Sequence, residues 1–496
     1  MGLVYIILSA LLMHCAAASS LAAPPDSAVV IAFEDVYDLS LLAYTISDLG
    51  VQTTFVVPSD ENNFYERLNE TEEVIKVDAS HVKSTDTKDV RALKLCESFI
   101  SHRETQKQIH RFEPTFVIFP GVRHDACLLP WASSINSIPV IWARGHDEEL
   151  YVFIKTGMAL PVHQSGLIQG IFENVNLKFN LWSIDRNYIG PTQQMMKEKM
   201  PQGDAPLNNL YSSVQLVLWG ADPVLRMNSA PLTQLIPEIG CHHCRGNQPL
   251  PSELQKDLVQ FKTGTVIVLL DKDHGPMILA VAKKLYDSAT VQTPVSNSLA
   301  VIWKNKQARM SDKPNNLFIH KDVDRQDLIG YSRARLVLAH CTDSEFLESA
   351  FHGTPIICFP RTLDEWRNSR RAADLGFGHT EKIDSMSDTV VEIVMEMHEN
   401  TKYRENARIV SQAIRDRSNH AMDRLIYWLR YTERHKGEGK NLLVPKKVST
   451  YDEIIQWVIG FLFGVLFSVM ATVLFFFLQQ VNENKIKEQR KKHHRK

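Results

Sequence analysis

Two residues in the C-terminal half have the type and placement to meet an anionic or hydroxylated ligand. His340 ends a short apolar run, Leu336 to Ala339, and Asp364 opens a helical stretch after a second apolar run, Ile356 to Phe359. Helix N-termini offer unpaired N–H groups, and in open parallel sheets ligands sit beyond the carboxyl ends of the strands. A third cluster, Cys241-His242-His243-Cys244, has donors of zinc-ligand type. No second Cys/His pair of suitable spacing follows it, and Gly240, Gly246, Pro249 and Pro251 surround it. It therefore reads as a loop feature or a local disulfide, and no metal is expected. The acidic loop Glu34 to Asp38 is a poor source of a base, since carboxylates with pKa near 4 do not readily take an alcohol's proton.

These residues need strands and helices to hold them. Thr342 or Asp343 can cap a helix running through Phe351, and Gly353 suits its left-handed end. Pro355 leads into the second strand. Strand, helix, strand, helix within thirty-three residues is the rhythm of a doubly wound parallel sheet. The same rhythm opens the chain. Strand Ala28 to Phe33 precedes helix Leu39 to Leu49 and strand Val51 to Val57, with further strands at Thr115 to Phe119 and Ile138 to Ala143. It resumes at Thr265 to Leu270, helix Pro276 to Tyr286, Leu299 to Trp303 and Leu317 to His320. The fold class is α/β.

His340, Glu348, Gly353, Pro355, Pro360, Asp364 and Asn368 fall in register with a known signature: H-G-G-x-x-G-x-x-E-A, then G-x-P, then P-x-x-x-D-Q-x-x-N. The run resembles the nucleotide-sugar motif of the membrane-bound UDP-glycosyltransferases, the UDP-glucuronosyltransferase-like family. That resemblance implies a GT-B architecture of two facing Rossmann-like domains. It implies transfer of a glucuronosyl or glucosyl group from a UDP-sugar, as co-substrate, to a small lipophilic acceptor, without cofactor or metal. It assigns the donor to His340 (phosphate), Ser344, Glu348 (ribose), Asp364 and Glu365 (sugar hydroxyls). The departures are as plain. Cys341, Thr342 and Glu345 replace three glycines, and Glu365 replaces glutamine. Asp322 stands where the family stacks uracil on a tryptophan, an interaction of roughly 1–3 kcal/mol, and Arg325 stands where it has glutamine. Asp35 occupies the place of the family's catalytic histidine, and Ile118-Phe119-Pro120-Gly121 lacks its supporting aspartate. Glu345 beside a diphosphate would repel it by roughly 4 kcal/mol per like-charge pair at 4 Å. Two readings follow: a divergent transferase with Asp35 as its catalytic candidate, or a non-catalytic luminal binding or partner protein.

The 496 residues are expected to divide into a signal peptide (1–23), an N-terminal domain (24–246), a linker (247–261), a C-terminal domain (262–445), a transmembrane helix (454–478) and a basic cytosolic tail (479–496), the resemblance implying an acceptor role for the first domain and a UDP-sugar role for the second. Ile454 to Leu478 carries no charge, and twenty-five helical residues span roughly 37 Å, enough to cross a bilayer. The basic tail places itself in the cytosol and the body in the lumen, with the endoplasmic reticulum as the expected compartment. Asn69-Glu70-Thr71 is a glycosylation sequon in the body. The formal net charge of −2 gives no support for nucleic acid as a partner. Homo- and hetero-oligomers both stay open. His420 to His435 reads as an amphipathic helix resembling the family's closing helix, its Trp and Tyr serving packing rather than cofactor contact.

Overall fold

The computed structural model describes residues 27–493, apart from 66, 69–72, 84, 145–149, 157–178, 180–181, 201–206, 226–233, 291–297, 306–312, 383–385, 436–442 and 444–449. The signal-peptide segment and Asn69 lie outside the described residues. The chain forms two compact units. The larger, residues 1–162 with 183–443, carries two six-stranded parallel sheets.

The first sheet has the order β3-β2-β1-β4-β5-β6. Its strands are β1 (Ser27–Ile31), β2 (Gln52–Pro58), β3 (Glu73–Val77), β4 (Phe116–Pro120), β5 (Ile138–Ala143) and β6 (Leu216–Trp219). The second has the order β12-β11-β10-β7-β8-β9. It comprises β7 (Thr265–Val268), β8 (Ala300–Lys304), β9 (Leu317–His320), β10 (Ala334–Ala339), β11 (Ile356–Cys358) and β12 (Gly378–Thr380). Every strand pairing within the two sheets is parallel. A sheet covered on both faces by helices buries both sides of its strands, which is why these segments are runs of Val, Ile, Leu and Phe rather than alternating patterns. β1, β4 and β7 are buried throughout. The expected strands are present to within a few residues. β3, β6 and β12 were not anticipated: Glu73-Val74-Ile75-Lys76-Val77 alternates as an edge strand, and Leu216–Trp219 and Gly378–Thr380 are only four and three residues long.

In each sheet the chain leaves from a central strand, fills one edge, then crosses back to fill the other. The switch points lie between β1 and β4 and between β7 and β10. The turns after these strands are the places where the fold leaves a crevice. The chain then returns to the first sheet. In the last helix of this unit, Ala421–Arg434, Leu425 and Leu429 are buried in the first sheet's core. Tyr427 of that helix is 52% exposed.

The second unit, residues 163–182 with 444–496, contains the long helix Thr450–His493. Its apolar window is Val458–Val481, with mean hydropathy 2.6 and nothing buried, long and apolar enough to cross a membrane.

Candidate functional site

A cavity of about 960 Å³ lies within the larger unit, bounded by the turns after β1, β7, β10 and β11 and by residues from β9 to the helix Arg325–Ile329. Thirteen Asp and Glu residues line it against nine Lys and Arg, so the wall is net acidic.

His340 follows β10 and is 3% exposed. Its Nδ1 is 2.9 Å from the Phe359 carbonyl. A carbonyl only accepts, so Nδ1 carries the proton and Nε2 is the nitrogen left over, 3.4 Å from Asp271 Oδ2. Cys341 holds the left-handed conformation, φ 66°, at the first of the replaced glycine positions, and is bonded to Cys358. The disulfide ties the end of β10 to the end of β11.

The next helix, Asp343–His352, begins with a capping box. Thr342 Oγ1 accepts from Glu345 N–H, and Glu345 Oε2 accepts from Thr342 N–H at 3.0 Å. The helix Leu363–Asp374 repeats the device: Glu365 Oε2 accepts from Thr362 N–H at 3.0 Å and from Arg361 N–H at 2.6 Å. An anion at a helix start needs such N–H groups. At both helix starts in this cavity a carboxylate of the helix's own first turn already accepts from backbone N–H, Glu345 from one and Glu365 from two.

Glu348 is 2% exposed and gripped by Arg325, Nε to Oε2 at 2.6 Å and Nη2 to Oε1 at 2.6 Å, with His243 Nε2 at 3.1 Å from Oε1. Burial alone would raise its pKa. The Arg325 charge, with the His243 and Arg325 hydrogen bonds, more than offsets burial and holds it at about 2. Arg325 lies over the Tyr37 ring at 4.7 Å, so this cluster joins elements of both sheets. Ser344, 1% exposed, hydrogen-bonds Asp38. Asp38 is pushed up to about 7, first by burial and then by the neighbouring Asp343 carboxylate. Asp364 is the most open of the donor candidates, its side chain 26% exposed, with Arg367 Nη1 at 3.4 Å and Arg144 Nη1 at 3.5 Å.

On the first sheet, Asp35 takes the left-handed conformation, φ 54°, ahead of its helix. Arg144, from the end of β5, grips its carboxylate and reaches Asp364 across the cavity. The guanidinium beside it favours the ionised carboxylate and makes Asp35 a weaker proton acceptor. A carboxylate–histidine pair does occur nearby with the residue types exchanged between loops. Glu34 follows β1, and His124, in the turn after β4, stands 3.8 Å from its Oε2. His124 is 1% exposed; burial pushes its pKa down to about 4, and it does not line the cavity. It is neutral and enclosed rather than turned to a ligand.

The structure thus brings His340, Ser344, Glu348, Asp364, Glu365 and Asp35 to one cavity. The sequence reading missed what they meet: Arg144, His243 and the Arg325–Glu348 pairing. Arg325 carried a signal, since a cation at a position expected to hold glutamine, close to an expected carboxylate, has an obvious partner. Cys241 and Cys244 form a disulfide within the loop that presents His243. Among the described residues no cluster suited to a metal occurs.

Residues 176–492 match the family model described as "UDP-glucoronosyl and UDP-glucosyl transferase". UDP-glucosyltransferase 2 of Dactylopius coccus is 27% identical over 47% of this chain and 44% of its own length. Human UDP-glucuronosyltransferase 1A7 is 24% identical over 70% of this chain and 66% of its own. The matches thus span from under half to about two-thirds of those relatives. The glycosyltransferase of kitacinnamycin superposes with a TM-score of 0.54, at 12% identity, covering 82% of this chain and all of that one; this likeness is of fold, the GT-B arrangement.

Proposed function

The chain belongs to the UDP-glycosyltransferase family, and from that premise we propose that it is a non-catalytic member whose cleft no longer takes a UDP-sugar. One observation carries the reading: Glu348, the residue that resemblance assigns to the ribose, is buried and already takes three hydrogen bonds from Arg325 and His243. Nucleotide hydroxyls would have to compete with a buried ion pair, and stripping one partner from such a pair costs several kcal/mol. Glu345 and Glu365 in their capping boxes and the acidic surplus of the wall act in the same direction against a diphosphate. Asp35 held by Arg144 and the enclosed His124 leave no evident base for an acceptor hydroxyl. The cleft suits a neutral or cationic polar ligand, or a protein partner, better than a nucleotide anion.

One observation favours transfer: His340 keeps Nε2 and Asp364 keeps partial exposure in an open cavity. On that reading His340, Ser344, Glu348, Asp364 and Glu365 hold the donor, and a small lipophilic acceptor is glycosylated. Incubating the purified full chain with sugar-labelled UDP-glucose, UDP-glucuronic acid and UDP-N-acetylglucosamine, and a mixed phenol and alcohol panel, separates the two. The non-catalytic reading expects neither labelled conjugate nor free labelled sugar above a no-protein control; labelled conjugate that depends on His340 overturns it.

We further place the body in the lumen of the endoplasmic reticulum as a single-pass type I protein, supported by the apolar window Val458–Val481 and the basic segment after it. Protease added to intact microsomes should remove only the tail, and endoglycosidase should increase mobility through loss of a glycan on Asn69. Digestion of the body would reverse the topology.

A further inference from the structure

The helix Ala421–Arg434 buries Leu425 and Leu429 and turns a row of rings outward. Tyr427, Tyr431 and His435 recur at four-residue intervals, so they lie along one face. Their rings follow one another, Tyr427 to Tyr431 at 6.4 Å and Tyr431 to His435 at 4.4 Å. Trp428, packed against the first sheet's core, meets Tyr427 and Tyr431 edge-on at 5.2 and 5.1 Å and so anchors the row. Tyr427 is 52% exposed, and Arg434 and His435 at the end of the row are exposed as well. Solvent-facing helix surfaces are ordinarily charged and aliphatic-poor without such rings. Aromatic rings with one wet edge, flanked by guanidinium groups, match the chemistry of a bilayer's headgroup region, where Tyr and Trp collect and Arg meets phosphate.

The covalent chain bounds how far this face can stand from the apolar helix. Fourteen residues separate His435 from Thr450, where the helix with the apolar window begins. Fully extended they reach at most roughly 50 Å, and they carry four lysines against one glutamate. We propose that the Tyr427–Tyr431–His435 face, with Arg430 and Arg434, docks on the phospholipid headgroup layer. The occupant is lipid phosphate; a second copy of this chain is the competing occupant that the test must reject. This assignment goes beyond the cleft and stands whether or not a nucleotide sugar binds there.

The test uses the full chain in phosphatidylcholine nanodiscs, with and without phosphatidylserine. An environment-sensitive fluorophore is attached at Tyr427→Cys, and at Ile409→Cys as a control on an exposed site of another helix. Headgroup-spin-labelled lipid should quench the Tyr427→Cys label and leave the Ile409→Cys label alone. Arg434→Gln should weaken docking about fivefold in the phosphatidylserine discs, the effect of one cation near an anionic surface, and salt should weaken it further. Hydrogen exchange of the unlabelled protein gives a second measurement: amides of 421–435 should slow in nanodiscs relative to detergent at equal protein concentration. Equal quenching at both sites overturns the proposal, as do no quenching in either lipid and Tyr427→Cys cross-linking between two copies.

Discussion

Replacing Arg325 with Gln removes the cation that pairs with Glu348, and its effect can be sized from the structure. Glu348 is held at about 2 against an ordinary value of 4.5, and each unit of displacement corresponds to about 1.4 kcal/mol, so the folded state favours the ionised carboxylate by roughly 3 kcal/mol. That agrees with the roughly 3–5 kcal/mol lost when one member of a buried ion pair is removed. A depressed carboxylate contributes stability above its unfolded value and loses it as pH falls from about 4.5 towards 2. At neutral pH the full contribution is therefore present. Arg325→Gln should lower the thermal midpoint by several degrees, and Glu348→Gln should do the same by leaving Arg325 buried and unpaired. The double variant should recover much of the loss, giving a coupling of roughly 2–3 kcal/mol. The assay is denaturant unfolding of the four proteins at neutral pH. Strict additivity of the two single losses, or an unchanged Arg325→Gln protein, would refute the view that these groups exist for each other.

Other expectations follow from the same groups. Cys341→Ser with Cys358→Ser opens a ring of about eighteen residues, which should cost about 3 kcal/mol of stability, read as a lower unfolding midpoint; an unchanged midpoint would show that the disulfide does not form. Asp38 has a folded pKa of about 7 against 3.8, so its proton stabilises the fold fully below about 4 and that contribution is lost as pH rises through about 7. The stability of Asp38→Asn relative to the natural protein should accordingly grow across that window and then level off; a constant offset from pH 4 to 8 would contradict the raised pKa of this carboxyl. Arg144→Ala removes the link from Asp35 to Asp364 and should speed amide exchange in both flanking loops, measured by mass spectrometry, with unaltered exchange arguing against a cross-cavity tie.

Much of the fold was legible because buried parallel strands advertise themselves. Val29–Ile31, Phe116–Phe119 and Val266–Val268 are unbroken apolar runs, and Gly353 marks a helix end by its backbone freedom, observed at φ 69°. β3 was missed since it shows an edge strand's alternation next to a charged segment. The positions of the site were legible through local spacing: His340 to Glu348 is one strand end and one helix, so register fixes their approach. Their occupancy was not. Arg325 reaches Glu348 from another helix, and Arg144 reaches Asp35 from β5, more than a hundred residues away. Arg325 left a trace by standing where glutamine was expected, whereas nothing in the linear pattern pointed from Asp35 to Arg144. Glu345 is instructive: its charge was legible, but that its carboxylate also takes Thr342 N–H in the capping box was not.

Direct calorimetric titration of the full-length protein with UDP, UDP-glucose and UDP-glucuronic acid tests the central claim with the fewest assumptions. A cleft whose ribose carboxylate is already paired and whose helix starts are capped from within should give no saturable heat with any of the three up to about 1 mM, a free energy weaker than about −4 kcal/mol. Saturable binding near 10 μM, roughly −7 kcal/mol, abolished by Glu348→Ala or His340→Ala, would contradict the account.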